Sequence, residues 1–232
     1  MTTEVLTLDT NEATAVAQET PAAAAPRMTR GELMRKLYHM NGGTPAWFIR
    51  FMRPTTLVGF AVWMLILNYF IMPRFANGKR FWKWDVFWRS NERASGKPTG
   101  ILLYCWIVFG LTIVFFRSPW MTAAVWGVMA YGDGMATIIG RLAGGPKVPW
   151  NASKGIAGTL AFFVFGSVAV AGLIAWNRAD VLFLGALPLA AALCAISALV
   201  ESLPLPWDDN ITVPVSAAVA LPLLTMVPAL AM

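Results

Sequence analysis

The stretch PWMTAAVWGVMAYGDGMATIIGR, residues 119–141, carries one carboxylate, Asp133, inside an otherwise apolar run. A helix of roughly 20 mostly apolar residues crosses the hydrocarbon core of a bilayer, and this run is long enough. A charge within such a segment is costly unless it faces a cavity or a partner, so Asp133 is a functional expectation by default. Gly132 and Gly134 remove side-chain bulk on both sides of it and let the backbone deviate or approach a ligand closely. Ala136, Gly140 and Gly144 follow at spacings of three, four and four, roughly along one helix face with Asp133. A packing seam of small residues explains the glycines but not a carboxylate among them.

Working outward, five more apolar runs have spanning length or nearly so: 55–73, 101–116, 155–176, 180–203 and 211–232. The composition agrees. Of 232 residues, 57% are hydrophobic and 13% charged, with a mean hydropathy of +0.59; soluble domains carry about 25% charged residues. A water-soluble fold is excluded. The fold expected is an all-α integral membrane protein of about six transmembrane helices, plus an N-terminal interfacial or re-entrant helix over 40–53. Residues 1–26 hold four acids and no Lys or Arg, and they read as a disordered tail, not a signal peptide. Residues 27–232 read as a single membrane-embedded domain. Cys105 and Cys194 sit in apolar runs as small hydrophobes. One histidine excludes a multi-His metal centre. The bilayer is the expected partner, nucleic acid is not, and the oligomeric state is open.

Loops 74–100 and 141–154 share one face and hold ten basic residues, with Trp82, Trp84 and Trp88 interleaved in the first. The positive-inside rule favours that face as cytoplasmic, together with loop 204–210. The basic stretch 27–53 falls on the opposite face if 55–73 crosses once.

Three polar islands carry the chemistry. Residues 144–159 hold Lys147, Lys154, Ser153 and Thr159 among glycines, and they open into an apolar helix. Free amides at a helix N-terminus attract anions, and a lysine adds a mobile charge for phosphate oxygens. Glu201, Asp208, Asp209 and Asn210 flank the end of another span. Paired carboxylates suit magnesium, which takes one or two of them plus substrate phosphates. At the front, Glu32, Arg35, Lys36 and His39 lie within two helical turns, with Arg35 and His39 on one face at i, i+4.

Together these islands resemble the polyprenol kinase family, which includes dolichol and phytol kinases. Glu32-x-x-Arg35-Lys36-x-x-His39 is similar to the family's opening block. Asp133-x-x-Ala136-x-x-x-Gly140-x-x-x-Gly144, followed by Lys154-x-x-x-Gly158-Thr159, resembles its nucleotide-binding signature. Glu201 with Asp208-Asp209-Asn210 resembles the late block, and Ser95-Gly96-Lys97-Pro98-Thr99-Gly100 a further element. The family often has Ser or Thr at the position of Gly155 and Glu at that of Ala157, so Ser153 or Thr159 would supply the missing hydroxyl.

The resemblance implies a membrane kinase that transfers the γ-phosphoryl group of CTP, with Mg2+, to an isoprenoid alcohol. Asp133 and Lys154 are the expected catalytic residues, Asp133 as general base. Gly140, Gly144, Lys147, Ser153, Gly158, Thr159, Arg35, Lys36 and His39 are expected at the nucleotide. Asp133, Asp208, Asp209 and Glu201 are expected at the metal. Phe162, Phe163 and Phe165 are expected to line the isoprenoid tail. A phosphatidate cytidylyltransferase-like enzyme and a small transporter remain alternatives.

Overall fold

The computed structural model describes residues 28–72, 74 and 99–230. The N-terminal tail, the connection holding Trp82, Trp84 and Trp88, and Ser95 to Pro98 lie outside these residues.

The described chain is all-α apart from one small hairpin. Helix α1 (Arg30–Asn41) starts from a capping box: the Thr29 side chain accepts from the Glu32 amide, and the Glu32 side chain accepts from the Thr29 amide. A 3-10 helix, Thr44–Phe51, follows. Pro54 opens α2 (Pro54–Ile66), which continues as a π turn, Leu67–Ile71. Proline suits that first position, where its missing N–H would have no partner anyway. Next is α3 (Thr99–Val114). The run 119–141 forms α4 (Pro119–Gly127), a π turn (Val128–Gly132) and α5 (Asp133–Ala143). Strands β1 (Lys147–Val148) and β2 (Asn151–Gly155) pair antiparallel, with Lys147 opposite Gly155. The chain then forms α6 (Ile156–Asn177), α7 (Phe183–Ser202) and α8 (Asp209–Thr225).

Among the described residues, three helices are long and apolar enough to cross a membrane: Pro54–Ile71, Ile156–Asn177 and Phe183–Ser202. Helices α3 and α8 are apolar but shorter. The expected span 119–141 forms the hub of the bundle. Every residue from Thr122 to Ala130 is buried, with α6, α8 and the 3-10 helix packed around α4. The chain carrying Asp133 is thus sheathed in protein, which is where a carboxylate at this depth can persist.

The path of residues 30–53 differs from expectation. At one end, Glu32 on α1 lies 3.8 Å from Arg141. Near Arg141, Gly140 packs against Gly158 at the start of α6. At the other end, the Asn177 side chain donates to the Ala46 carbonyl, and Arg50 donates to the Trp176 carbonyl. The two ends of this segment therefore sit at opposite ends of α6, whose 22 residues span about 33 Å. The start of α1 lies on the side of the 141–154 loop, not opposite it. Sequence could not reveal this, because neither the 12-residue helix nor the 8-residue 3-10 piece has spanning length alone.

Candidate active site

The glycines beside Asp133 pack helices. A Cβ on Gly134 would fall 2.3 Å from Met40 Cγ, and one on Gly132 would fall 2.8 Å from the Phe162 ring. Their absence of side chains brings α1 and α6 against the two sides of the turn that presents Asp133. The π turn before it is the kind of helix irregularity that recurs at functional sites.

From α1, Lys36 Nζ donates to Asp133 Oδ2 at 2.9 Å. His39 Nε2 lies 3.4 Å from the same oxygen and 3.1 Å from the Met129 carbonyl. Arg35 lines the cavity beside them. The hairpin delivers Lys154. Asn151 Nδ2 donates to the Ser202 carbonyl and Trp150 Nε1 to the Ser202 hydroxyl, which pins the hairpin to the end of α7. Lys154 Nζ thereby donates to Glu201 Oε1 and, at 2.7 Å, to Asp209 Oδ2. Burial opposes the charge on Lys154, but the carboxylates of Glu201 and Asp209 hold its ammonium above the ordinary lysine range.

Asp133, Glu201 and Asp209 each offer a carboxylate oxygen, and these oxygens lie within 4.8 Å of one another. Opposite ligands of a magnesium ion stand about 4.2 Å apart, twice the 2.0–2.1 Å bond length. The donors are hard oxygens, so this set fits that ion with small adjustments. Asp133 and Asp209 open onto a cavity of about 690 Å3, also lined by Asn68, Tyr104, Asn151, Ser153, Trp207 and Asn210, while Glu201 is buried beside it and does not line it.

Several expected site residues lie elsewhere. The Asp208 carboxylate accepts from the Asn210 amide at 3.0 Å and caps α8; it faces the cavity but stands outside the trio. Gly140 and Gly158 are a packing seam, where a Cβ on Gly158 would sit 2.9 Å from the Ala136 carbonyl oxygen. Gly144 adopts a positive φ of 61° as it ends α5, a turn role. Lys147 is exposed on β1, and the Thr159 hydroxyl donates back to the Gly155 carbonyl. None of these five residues is among those lining the cavity. Ser153 does line it, with its hydroxyl donating to Asn151 Oδ1 at 2.6 Å. Phe162 is buried in the core, while Phe163 and Phe165 face outward. They do not line the cavity; Met64, Ile101, Tyr104 and Cys105 form its apolar side instead.

Asn68, Tyr104 and Asn151 are cavity residues that sequence reasoning passed over. Asn68 had a readable signal, as a lone amide in an apolar run.

No family model matches the chain, and no solved structure does. Among curated proteins, it is 34% identical over 123 residues to "Probable phytol kinase 1, chloroplastic" of Glycine max, covering 50% of this chain and 41% of the relative. It is 31% identical over 134 residues to "Phytol kinase 1, chloroplastic" of Arabidopsis thaliana, covering 55% and 44%. With "Probable phytol kinase, chloroplastic" of Zea mays it shares 29% identity over 203 residues, covering 82% and 66%. The matches thus span from about two fifths to just under two thirds of these relatives' lengths. By these similarities the chain resembles phytol kinases over half or more of its length.

Proposed function

We propose that this protein is a membrane lipid kinase that transfers the γ-phosphoryl group of CTP to an isoprenoid alcohol such as phytol, geranylgeraniol or a polyprenol. One observation carries the reading: three carboxylates from α5, α7 and α8 meet within 4.8 Å of one another, two of them lining one cavity, with Lys36 and Lys154 already upon them. Similarity to phytol kinases supports the choice of reaction.

Asp133, Glu201 and Asp209 would hold Mg2+, which supplies charge neutralisation at the β- and γ-phosphates when bound. The triphosphate lies toward the polar wall of Arg35, Ser153, Lys154 and Asn210. Lys154 is held by carboxylates that an ion would engage instead, so its ammonium becomes available to phosphate oxygens. Lys36 and His39 fix the Asp133 carboxylate. The alcohol oxygen bonds to the γ-phosphorus as the bond to the bridging oxygen breaks, giving CDP and a lipid monophosphate. The hydroxyl proton passes to Asp133. Phosphoryl transfer has a loose transition state and relies mainly on positioning and charge neutralisation, so a weak base suffices.

The path of residues 30–53 supports seven crossings, with the start of α1 and the active-site loops on one side. In that arrangement, among the described residues, Arg50, Arg53, Arg117 and Arg178 are the basic residues of the opposite face, against Arg30, Arg35, Lys36, Arg74, Arg141, Lys147 and Lys154 on the active-site face. That excess supports an active site on the cytoplasmic side or its equivalent. The test is a panel of γ-labelled CTP, ATP, UTP and GTP against phytol, geranylgeraniol, a long polyprenol, diacylglycerol and phosphatidate, with purified protein in detergent. Labelled lipid monophosphate from CTP and a prenyl alcohol is expected. Labelled pyrophosphate and a CDP-lipid, or no turnover with any pair, would overturn the reading.

A further inference from the structure

We propose that the α2–α3 wall of the cavity is the lipid-alcohol subsite, entered sideways from the bilayer, with Asn68 receiving the alcohol hydroxyl. This rests on the kinase reading above. A cavity of about 690 Å3 matches a single drug-sized ligand. It cannot enclose a nucleoside triphosphate and a long isoprenoid tail together, so the tail has to leave into hydrocarbon. Met64 and Asn68 from α2, with Ile101, Tyr104 and Cys105 from α3, form the side built by apolar helices.

Helix α2 is the loosest candidate span. Only 17% of its apolar window is buried in protein, against 44% and 39% for α6 and α7. Trp63, Ile66, Tyr69 and Phe70 on its outer side are exposed. A helix held this lightly can part from α3 without disturbing the hub.

Asn68 is 4% exposed and sits within the π turn of α2. Its Nδ2 donates to the Met64 carbonyl at 2.9 Å. Its Oδ1 has no hydrogen-bond partner among the described residues, so it can accept the proton of an arriving hydroxyl. Tyr104 extends this wall to the reaction centre. Its ring meets His39 edge-on at 4.9 Å, and His39 lies beside Asp133. An alcohol entering between α2 and α3 is therefore led from Asn68 past Tyr104 toward Asp133.

The experiment uses a C20 prenyl alcohol carrying a tail diazirine, photolysed with the full-length protein in detergent. Label in residues 54–71 and 99–114 that excess unlabelled alcohol removes is the expected result. Competed label confined to 156–177 and 183–202, or label that excess alcohol does not remove, overturns the subsite, whatever the turnover. Kinetics supply a second readout. Ile101→Trp narrows the entry and Asn68→Leu removes the acceptor, and each raises the KM for the alcohol about tenfold or more with the nucleotide KM unchanged. An unchanged alcohol KM in both variants overturns the proposal. Turnover with no prenyl alcohol at all would instead strike the parent kinase reading.

Discussion

Three carboxylates, Asp133 and Glu201 buried and Asp209 part-exposed, share the centre of the site with two ammonium groups, and each lysine holds a different part of it. Lys36 engages Asp133, while Lys154 bridges Glu201 and Asp209. Removing either ammonium leaves acids facing one another with less compensation; for a buried pair the loss is about 3–5 kcal/mol. Lys36→Met is therefore expected to lower Tm as well as activity, read by thermal unfolding beside turnover. Adjacent acids should behave differently. Asp209→Asn removes a carboxylate of the trio and should raise the half-saturating Mg2+ concentration on the order of 10–100-fold. Asp208→Ala removes a helix cap, costing about 1 kcal/mol of stability, and should leave Mg2+ binding near wild type. A Mn2+ titration followed by electron paramagnetic resonance separates the two; a larger loss in Asp208→Ala would exclude the trio. Sequence could nominate Asp133, Glu201, Lys154 and the 208–209 pair because charges are rare in so apolar a chain. It could not choose between Asp208 and Asp209, since whether a carboxylate turns to its own backbone or to a neighbour is settled by packing.

At the scale of elements, close approach between helices builds the site. Gly134 admits Met40 of α1, and Gly158 lies against the Ala136 backbone of α5. Gly158→Ala would force a Cβ against a carbonyl oxygen that cannot move freely, an overpacking cost of about 1–3 kcal/mol. A lower Tm, with turnover lost in proportion to unfolding, is expected; unchanged Tm with lost nucleotide affinity would restore Gly158 to the nucleotide. The glycine spacing was legible, but its use was not. A small residue on a helix face serves a ligand or a partner helix equally well until the partner is known. The β1–β2 hairpin was illegible for a similar reason. Its strands are two and five residues long, and the side-chain bonds of Trp150 and Asn151 to Ser202 anchor it.

Across the whole molecule, α4 forms a buried hub and residues 30–53 run the length of α6. The apolar runs were legible as helices. The proposed crossing by residues 30–53 was not, because it would be made from two short pieces. Cys105 and Cys194 are both buried, so single cysteines introduced at Arg30, Lys147 and Arg178 can report sidedness with an impermeant maleimide on oriented vesicles. Positions 30 and 147 should label from one side and 178 from the other; labelling of 30 and 178 from the same side would remove the proposed crossing. The central claim is that the carboxylate trio positions a triphosphate beside a lipid hydroxyl. It is tested most directly by transfer of γ-label from CTP to phytol or geranylgeraniol in wild type and Asp133→Asn, with thermal unfolding measured on both. The account predicts a loss of at least about 10²–10³-fold in the variant with its unfolding transition retained. Near wild-type transfer by a folded Asp133→Asn protein would contradict it.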